Sequence, residues 1–371
     1  MSAYTTPILT ALFLFPFLAA LAIVPYGIWQ YRKYGSVSKG KLLILFSFSF
    51  YLLCAYFLVI LPLPDPHEVA KLTTIRYNLV PFTALRGFLH ETVLQPTNPS
   101  TYLPALKQNV FLQPFFNLML TLPFGFYLRY IWNLSLKKVI MASFFLSLFF
   151  ELTQLSGLYF IYPRSYRLFD VDDLILNTSG GLLGYLLTPV LTWLLPSMEK
   201  LNVEAIKKRD KASFSRRFLA LMVDSIVFNL IFEIVALFVP QFSLENYGIY
   251  LIGIFFYFVV VPYFWQGATI GKHLVKIRME KVDGRKAGFG ALIFRQFLLF
   301  GVSISTLRFL LPVVLLEMQR DQGHHLEFYL LVLGAIALFL LFFLINVLFL
   351  LFNKNQRMFY ERMTGLKEVG F

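Results

Sequence analysis

The stretch Phe328-Tyr-Leu-Leu-Val-Leu-Gly-Ala-Ile-Ala-Leu-Phe-Leu-Leu-Phe-Phe-Leu-Ile-Asn-Val-Leu-Phe-Leu-Leu-Phe352 contains no charged residue and a single amide, Asn346. A helix needs about 20 apolar residues to cross the hydrocarbon core of a bilayer, and this run exceeds that length. Similar runs recur at 8–30, 41–62, 113–133, 138–160, 174–195, 217–239, 247–265 and 296–316. The whole composition agrees with them. Of 371 residues, 58% are hydrophobic and only 14% charged, with a mean hydropathy of +0.69. Soluble domains carry roughly 25% charged residues, because their surface must be covered with polar groups. The 43 Phe and 20 Tyr residues suit lipid-facing surfaces and interfacial belts. Ala20-Leu21-Ala22 imitates a signal cleavage site, but no basic segment precedes it and its apolar stretch is too long, so an uncleaved helix is expected. The expected fold class is all-α: a polytopic integral membrane helical bundle with about nine transmembrane helices.

The formal charge of +13 is concentrated between the runs. Arg32, Lys33, Lys39 and Lys41 fall between the first two, and Lys137 and Lys138 follow the third. Lys207, Lys208, Arg209 and Lys211 precede the sixth; Lys272, Lys276, Arg278 and Arg285 follow the seventh; Lys354, Arg357, Arg362 and Lys367 close the chain. Basic loops stay in the cytoplasm, so nine spans put the N-terminus outside and the C-terminus inside. These residues also make membrane lipids the expected partners. No recognised nucleic-acid module accompanies them, so no nucleic-acid partner is expected. Cys54, alone in an apolar run, cannot form an internal disulfide and reads as a packing residue. The boundaries expected are 1–195 for a first membrane domain of five spans, 196–212 for a basic cytoplasmic linker and 213–371 for a second domain of four.

Polar side chains in or beside spans are costly, so each is a candidate for function. The first half supplies Asn78, Asn117, Glu151, Gln154, Arg167, Asp170, Asp172, Asp173 and Asn177, all on the outward side by the topology above. Glu151 and Gln154 are three apart and share a helix face. Asn117 is expected to open the third span, with a kink at Pro123-Phe-Gly125. Gly180-Gly181-x-x-Gly184 would let another helix approach closely. A purely structural account stands beside the functional one: the aspartates cap the fifth span, and Glu151 pairs with Arg167. Carboxylate and amide oxygens suit Ca²⁺ or Mg²⁺, yet the spacing matches no standard metal loop, and neither a metal nor a cofactor is expected.

Asn78-Leu-Val-Pro-Phe82, Phe116-Asn117 through Pro123-Phe-Gly125, Glu151-x-x-Gln154 and Arg167-x-x-Asp170-x-Asp172-Asp173-x-x-x-Asn177-Thr-x-Gly180 together resemble the VanZ-like family over about 40–195. That family's founding member is associated with teicoplanin resistance in Gram-positive bacteria. The resemblance implies a role in the bacterial cell envelope, with no reaction assigned to the fold.

In the second half, Arg216-Arg217-x-x-Ala220-x-x-x-Asp224, Gln266-Gly-Ala-Thr-Ile-Gly-Lys272, Lys276-Ile-Arg278, Asp283-Gly284, Arg295-Gln296 and Phe359-Tyr-Glu-Arg-Met-Thr-Gly365 resemble the RDD family over about 213–369. Arg217 and Asp224 fit the first two letters of its name. Glu361 stands where the family usually has its second Asp. Arg308 lies within the eighth span, where a lone charge costs about 2.5–3.5 kcal/mol, so it is expected to pair with Asp224 or Glu233. Gln266 to Lys272 reads as a turn into an interfacial amphipathic stretch. His324 and His325, with Asp321 and Glu327, read as a solvated loop.

Three functions fit. The first is an envelope protein that lowers susceptibility to teicoplanin-like lipoglycopeptides by binding or excluding the drug, or a lipid-linked wall precursor, at the external polar cluster. Aromatic helix ends would hold an acyl chain there while Arg167 and the carboxylates meet sugar or peptide groups. The second is an ion-coupled transporter for cation/proton exchange, built on Asp224, Glu233, Arg308 and Glu361. The third is a membrane enzyme acting on a lipid-linked substrate, with Glu151 or Asp170 as general base. Enzyme activity is the weakest expectation, as no Ser-His-Asp grouping, zinc signature or nucleotide loop is legible.

Overall fold

A computed structural model of the chain describes residues 2–239, 244, 246–321, 324–352 and 357–371. Lys354, counted above among the basic residues of the tail, lies outside them. Among the described residues nine helices are long and apolar enough to cross a membrane. They are α1 (Ser2–Tyr34), α2 (Lys39–Ile60), α3 (Asn109–Trp132), α4 (Leu136–Leu155) and α5 (Val171–Leu191), followed by α6 (Phe214–Phe238), α7 (Tyr247–Phe264), α8 (Phe289–Arg320) and α9 (Leu326–Phe352). The protein is thus an all-α polytopic membrane protein, and helices are the form that satisfies backbone groups inside a bilayer. Contacts divide it into two compact units, Met1–Ala22 with Ser38–Asn202, and Ile23–Val37 with Val203–Phe371.

In the first unit, α5 packs against α3 and α4 through small residues. A side chain at Gly125 would overlap the carbonyl oxygen of Gly181, and one at Gly184 would overlap that of Leu122. The close approach foreseen at 180–184 is therefore present, with α3 as the partner. Around it Phe48, Phe124, Leu128 and Val139 form a core joining α2, α3 and α4. Three details differ from expectation. Asn117 does not open α3, which begins at Asn109 and runs through Pro114 and Pro123. Second, α4 stops at Leu155 rather than continuing to 160, because Gly157, Leu158, Tyr159 and Phe160 all have positive φ. Third, the segment 63–112 contains its own structure, including a strand β1 (Tyr77–Asn78) and a helix at Thr83–Glu91. Leu79, Val80, Phe82, Leu85 and Leu89 are exposed there, which suits a helix lying in the membrane interface. β1 pairs in parallel with β2 (Phe169–Asp170), matching Asn78 to Asp170.

The second unit has an aromatic core of Phe228, Phe232, Tyr250, Tyr257, Phe258, Phe300 and Tyr360 drawn from α6, α7, α8 and the C-terminal segment. Gln266–Lys272 begins with the expected turn, Gln266 and Gly267 having positive φ; Thr269 then caps a short helix at Ile270–Leu274, and the stretch that follows is a strand β3 (Ile277–Lys281). β3 pairs antiparallel with β4 (Leu366–Gly370), Ile277 opposite Gly370 and Lys281 opposite Leu366. That ribbon carries the charged side chains of β4 back to the helices.

Candidate functional site

In the first unit the structure gathers the residues singled out from 78 to 177. Asp170 is the N-cap of α5, its carboxylate accepting from the Asp172 amide at 2.9 Å and from Asn78 Nδ2 at 3.3 Å. Asp172, in the first turn of α5, reaches across to the segment 82–84. It accepts from the amides of Phe82 (2.5 Å) and Ala84 (2.6 Å) and from the Thr83 hydroxyl (2.8 Å). A carboxylate filling three donors at the start of the Thr83–Glu91 helix is a cap supplied from another part of the chain, favourable to the positive end of that helix.

Glu151 Oε2 accepts from the Asp170 amide at 3.0 Å, and Asp173 Oδ1 accepts from Asn117 Nδ2. Both aspartates, Asp170 and Asp173, lie within electrostatic range of Glu151. Asn177 Nδ2 donates to Ser147 Oγ at 2.9 Å, and its Oδ1 is buried without a hydrogen bond. Gln154 leaves this group and donates to the Val59 carbonyl at 2.9 Å.

Arg167 is not paired with Glu151. Its Nη2 donates to the Leu61 carbonyl at 2.8 Å, and no ion pair joins it to a carboxylate among the described residues. Arg164, not ranked as a site residue from sequence, likewise donates to the carbonyls of Leu72 and Thr74. Tyr162 and Tyr166 add hydroxyl bonds to Pro64 (2.8 Å) and Ile60 (3.0 Å), and burial pushes the Tyr166 phenol up to about 12. Residues 162–167 therefore act as a clasp on the end of α2 and the segment after it. Arg164 and Arg167 thus donate to backbone rather than to a carboxylate, with Arg167 still within electrostatic range of Glu151, and Glu151, Asp170 and Asp173 form a group of acids with no ion pair among the described residues. No set of three His, Cys, Asp or Glu among the described residues is arranged to hold a metal ion.

Beside this group, Asp172 borders an apolar cavity of about 340 Å³. Its wall comes from Leu85 and Phe88 of the Thr83–Glu91 helix, Phe111, Phe115 and Leu118 of α3 and Ile175 of α5.

The second unit holds a denser charge cluster. Arg217 meets Glu361 at 2.9 Å and Glu368 at 3.3 Å; Arg295 meets Glu368 at 2.9 Å and Glu361 at 3.3 Å; Lys272 meets Glu368 at 2.6 Å. Burial works to raise the Glu368 carboxyl, but Lys272, Arg217 and Arg295 outweigh it and hold it down at about 2. Glu368, Lys272 and the role of Arg295 were missed from sequence. The alternation on β4 that turns Leu366 and Glu368 to the buried side was the available signal. Asp224 stands separately, its oxygens taken by the Tyr257 hydroxyl (2.8 Å), the Thr269 hydroxyl (2.5 Å) and the Gly271 amide (2.7 Å).

Arg308 pairs with neither Asp224 nor Glu233. It lies over the Tyr250 ring at 5.3 Å and reaches the Leu244 carbonyl at 3.5 Å, while Glu233 is exposed. The charge is met by an aromatic face and a backbone oxygen, which a long guanidinium side chain can reach without a carboxylate. Thus Arg217 and Glu361 are brought together, and Asp224 and Arg308 are not part of their ion-pair cluster.

These two helical units, each with a buried polar cluster, define a multi-pass membrane protein. The VanZ/LLP1 family model matches residues 48–194, and the RDD family model matches residues 211–365, so the chain joins a VanZ-like region and an RDD region in tandem. The first match contains every site residue from Asn78 to Asn177, and the second contains Arg217, Asp224, Arg308 and Glu361 but stops short of Glu368. No curated protein and no solved structure matches the chain.

Proposed function

We propose that this protein works in the bacterial cell envelope, where its VanZ-like unit lowers susceptibility to teicoplanin-like lipoglycopeptides. In this reading the unit takes up an acyl chain, from the drug or from a lipid-linked wall precursor, in the apolar cavity beside Asp172. The polar portion of the ligand meets the acids Glu151, Asp170 and Asp173. The single observation that supports it is an apolar cavity bordered by Asp172, the neighbour in sequence of Asp173 and near to Asp170, under a helix that Asp172 clamps in place. Small-molecule sites are concave, mainly apolar, and usually carry a few convergent polar groups. The basic loops favour an orientation that opens this face outward.

Asp224 is filled by three donors, which supports helix anchoring over a proton relay. The hydroxyls that meet carboxylates, Thr83 on Asp172 and Thr269 on Asp224, bond to carboxylates also held by backbone amides, which supports anchoring over catalysis. The transporter and enzyme readings therefore rank below the envelope role.

The test is a susceptibility measurement in a sensitive host. The intact chain should raise the inhibitory concentration of teicoplanin several-fold. Leu118→Trp, which fills the cavity, and Glu151→Gln, which removes an acid, should return it to the host's value while the protein still inserts and melts as before. Protection unchanged in both variants, or absent with the intact chain, rejects the proposal.

A further inference from the structure

The second unit holds a cavity of about 370 Å³ between α6, α8, α9 and the C-terminal segment. Small-molecule sites usually measure roughly 300–1,000 Å³. One part of its lining is hydrocarbon and aromatic, with Phe218, Leu221, Phe258, Leu299, Phe300 and Val347. The other part is charged, with Arg217, Lys272, Arg295 and Glu368. A cleft with a greasy lining and an ionic part is shaped for an amphiphile.

Hydrogen-bond inventory decides the sign of the head group. The acceptors at the ionic end are occupied. Glu368 Oε1 takes Lys272 and Arg295, and its Oε2 faces Arg217. Asp224, which also borders the cavity, is filled by Tyr257, Thr269 and Gly271. What is unmet is a donor. Arg295 is buried, at 4% exposure, and its Nε has no hydrogen-bond partner although its two terminal nitrogens are engaged. A guanidinium cannot shed its charge, and a buried charged donor without an acceptor is costly, so an acceptor belongs there. An acidic oxygen would find Arg295.

We infer that this cavity binds an acyl chain ending in an acidic head group, a carboxylate or a phosphate, with the acid meeting Arg295 and the chain lying along the phenylalanine wall. The site belongs to the RDD unit and does not depend on the function proposed for the VanZ-like unit. A free fatty acid and an anionic phospholipid share this chemistry.

The experiment uses the full chain, purified and stripped of lipid, and reads ligand binding by native mass spectrometry. The probes are palmitate, palmitoyl lysophosphatidylglycerol and the neutral monopalmitoylglycerol. At least one acidic probe should bind with a stoichiometry of one per chain, roughly tenfold or more tightly than the neutral one. Palmitate alone would identify a fatty-acid site, lysophosphatidylglycerol alone a phospholipid site, and both a site that reads the acid only. Leu221→Trp, which narrows the cavity from its apolar side and leaves the ion pairs intact, should weaken the acidic probe by a similar factor. Val347→Trp serves where Leu221→Trp is not recovered as a monodisperse protein. Arg295→Lys, which keeps the charge but loses the Nε donor, should weaken the acidic probe and leave the neutral one unchanged. Equal binding of acidic and neutral probes, no binding of either, or acidic binding unaffected by the tryptophan variants overturns the inference.

Discussion

The two units treat buried charge in opposite ways. In the RDD unit, Glu361 and Glu368 are enclosed by Arg217, Arg295 and Lys272 at ion-pair distances of 2.6–3.3 Å. In the VanZ-like unit the arginines are committed to carbonyl oxygens, and Glu151, Asp170 and Asp173 take only amide donors. A closed set of ion pairs holds elements together, whereas acids gathered with no ion pair, and only Arg167 within electrostatic range of Glu151, hold a cost that a ligand can relieve. The comparison separates a cluster whose carboxylates are all ion-paired from one whose carboxylates take only hydrogen bonds.

The strongest way to break this contrast is to open the closed network. Glu368→Ala would leave Lys272, Arg217 and Arg295 short of a carboxylate. Removing one member of a buried pair costs about 3–5 kcal/mol, so the variant should be recovered poorly and melt far below the parent. A melting curve matching the parent's would show that the ion pairs do not hold β4 to the helices.

A smaller effect sharpens the contrast from the other side. Asp172 is the acid of the VanZ-like unit that does structural work, through three hydrogen bonds to residues 82–84. Asp172→Ala should cost about 1–3 kcal/mol locally, seen in hydrogen exchange as faster exchange of the Phe82 and Ala84 amides with α3 and α5 unchanged. Unaltered exchange at those amides would mean that the Thr83–Glu91 helix is held by other contacts.

Much of the architecture was legible because membrane helices announce themselves by length. The run at 328–352 and its eight counterparts all coincide with long helices. Gly180-Gly181-x-x-Gly184 also read true, since only small residues admit a backbone as close as that of α3. Of the polar residues from Asn78 to Asn177, the structure brings Asn78, Asn117, Glu151, Asp170, Asp172 and Asp173 near one another, whereas Gln154 and Arg167 bond to carbonyls of other segments. Glu151 binds the Asp170 amide rather than Arg167 because the backbone at a helix start offers donors that no residue letter displays. Arg308 was assigned a carboxylate for the same reason, since carbonyls and ring faces are invisible in a list of charges. The pairings β1–β2 and β3–β4 involve strands of two and five residues, where alternation is a weak signal: absent in β1 and β2, and in β4 limited to Leu366 and Glu368.

Sidedness underlies the reading of the acid group, since a site facing the cytoplasm would meet neither drug nor exported wall precursor. Replacing Cys54 by alanine and introducing a single Leu168→Cys beside Arg167 allows labelling with a membrane-impermeant maleimide. Labelling in intact cells is the predicted result. Labelling that requires permeabilised cells would place residue 168 in the cytoplasm and contradict the account.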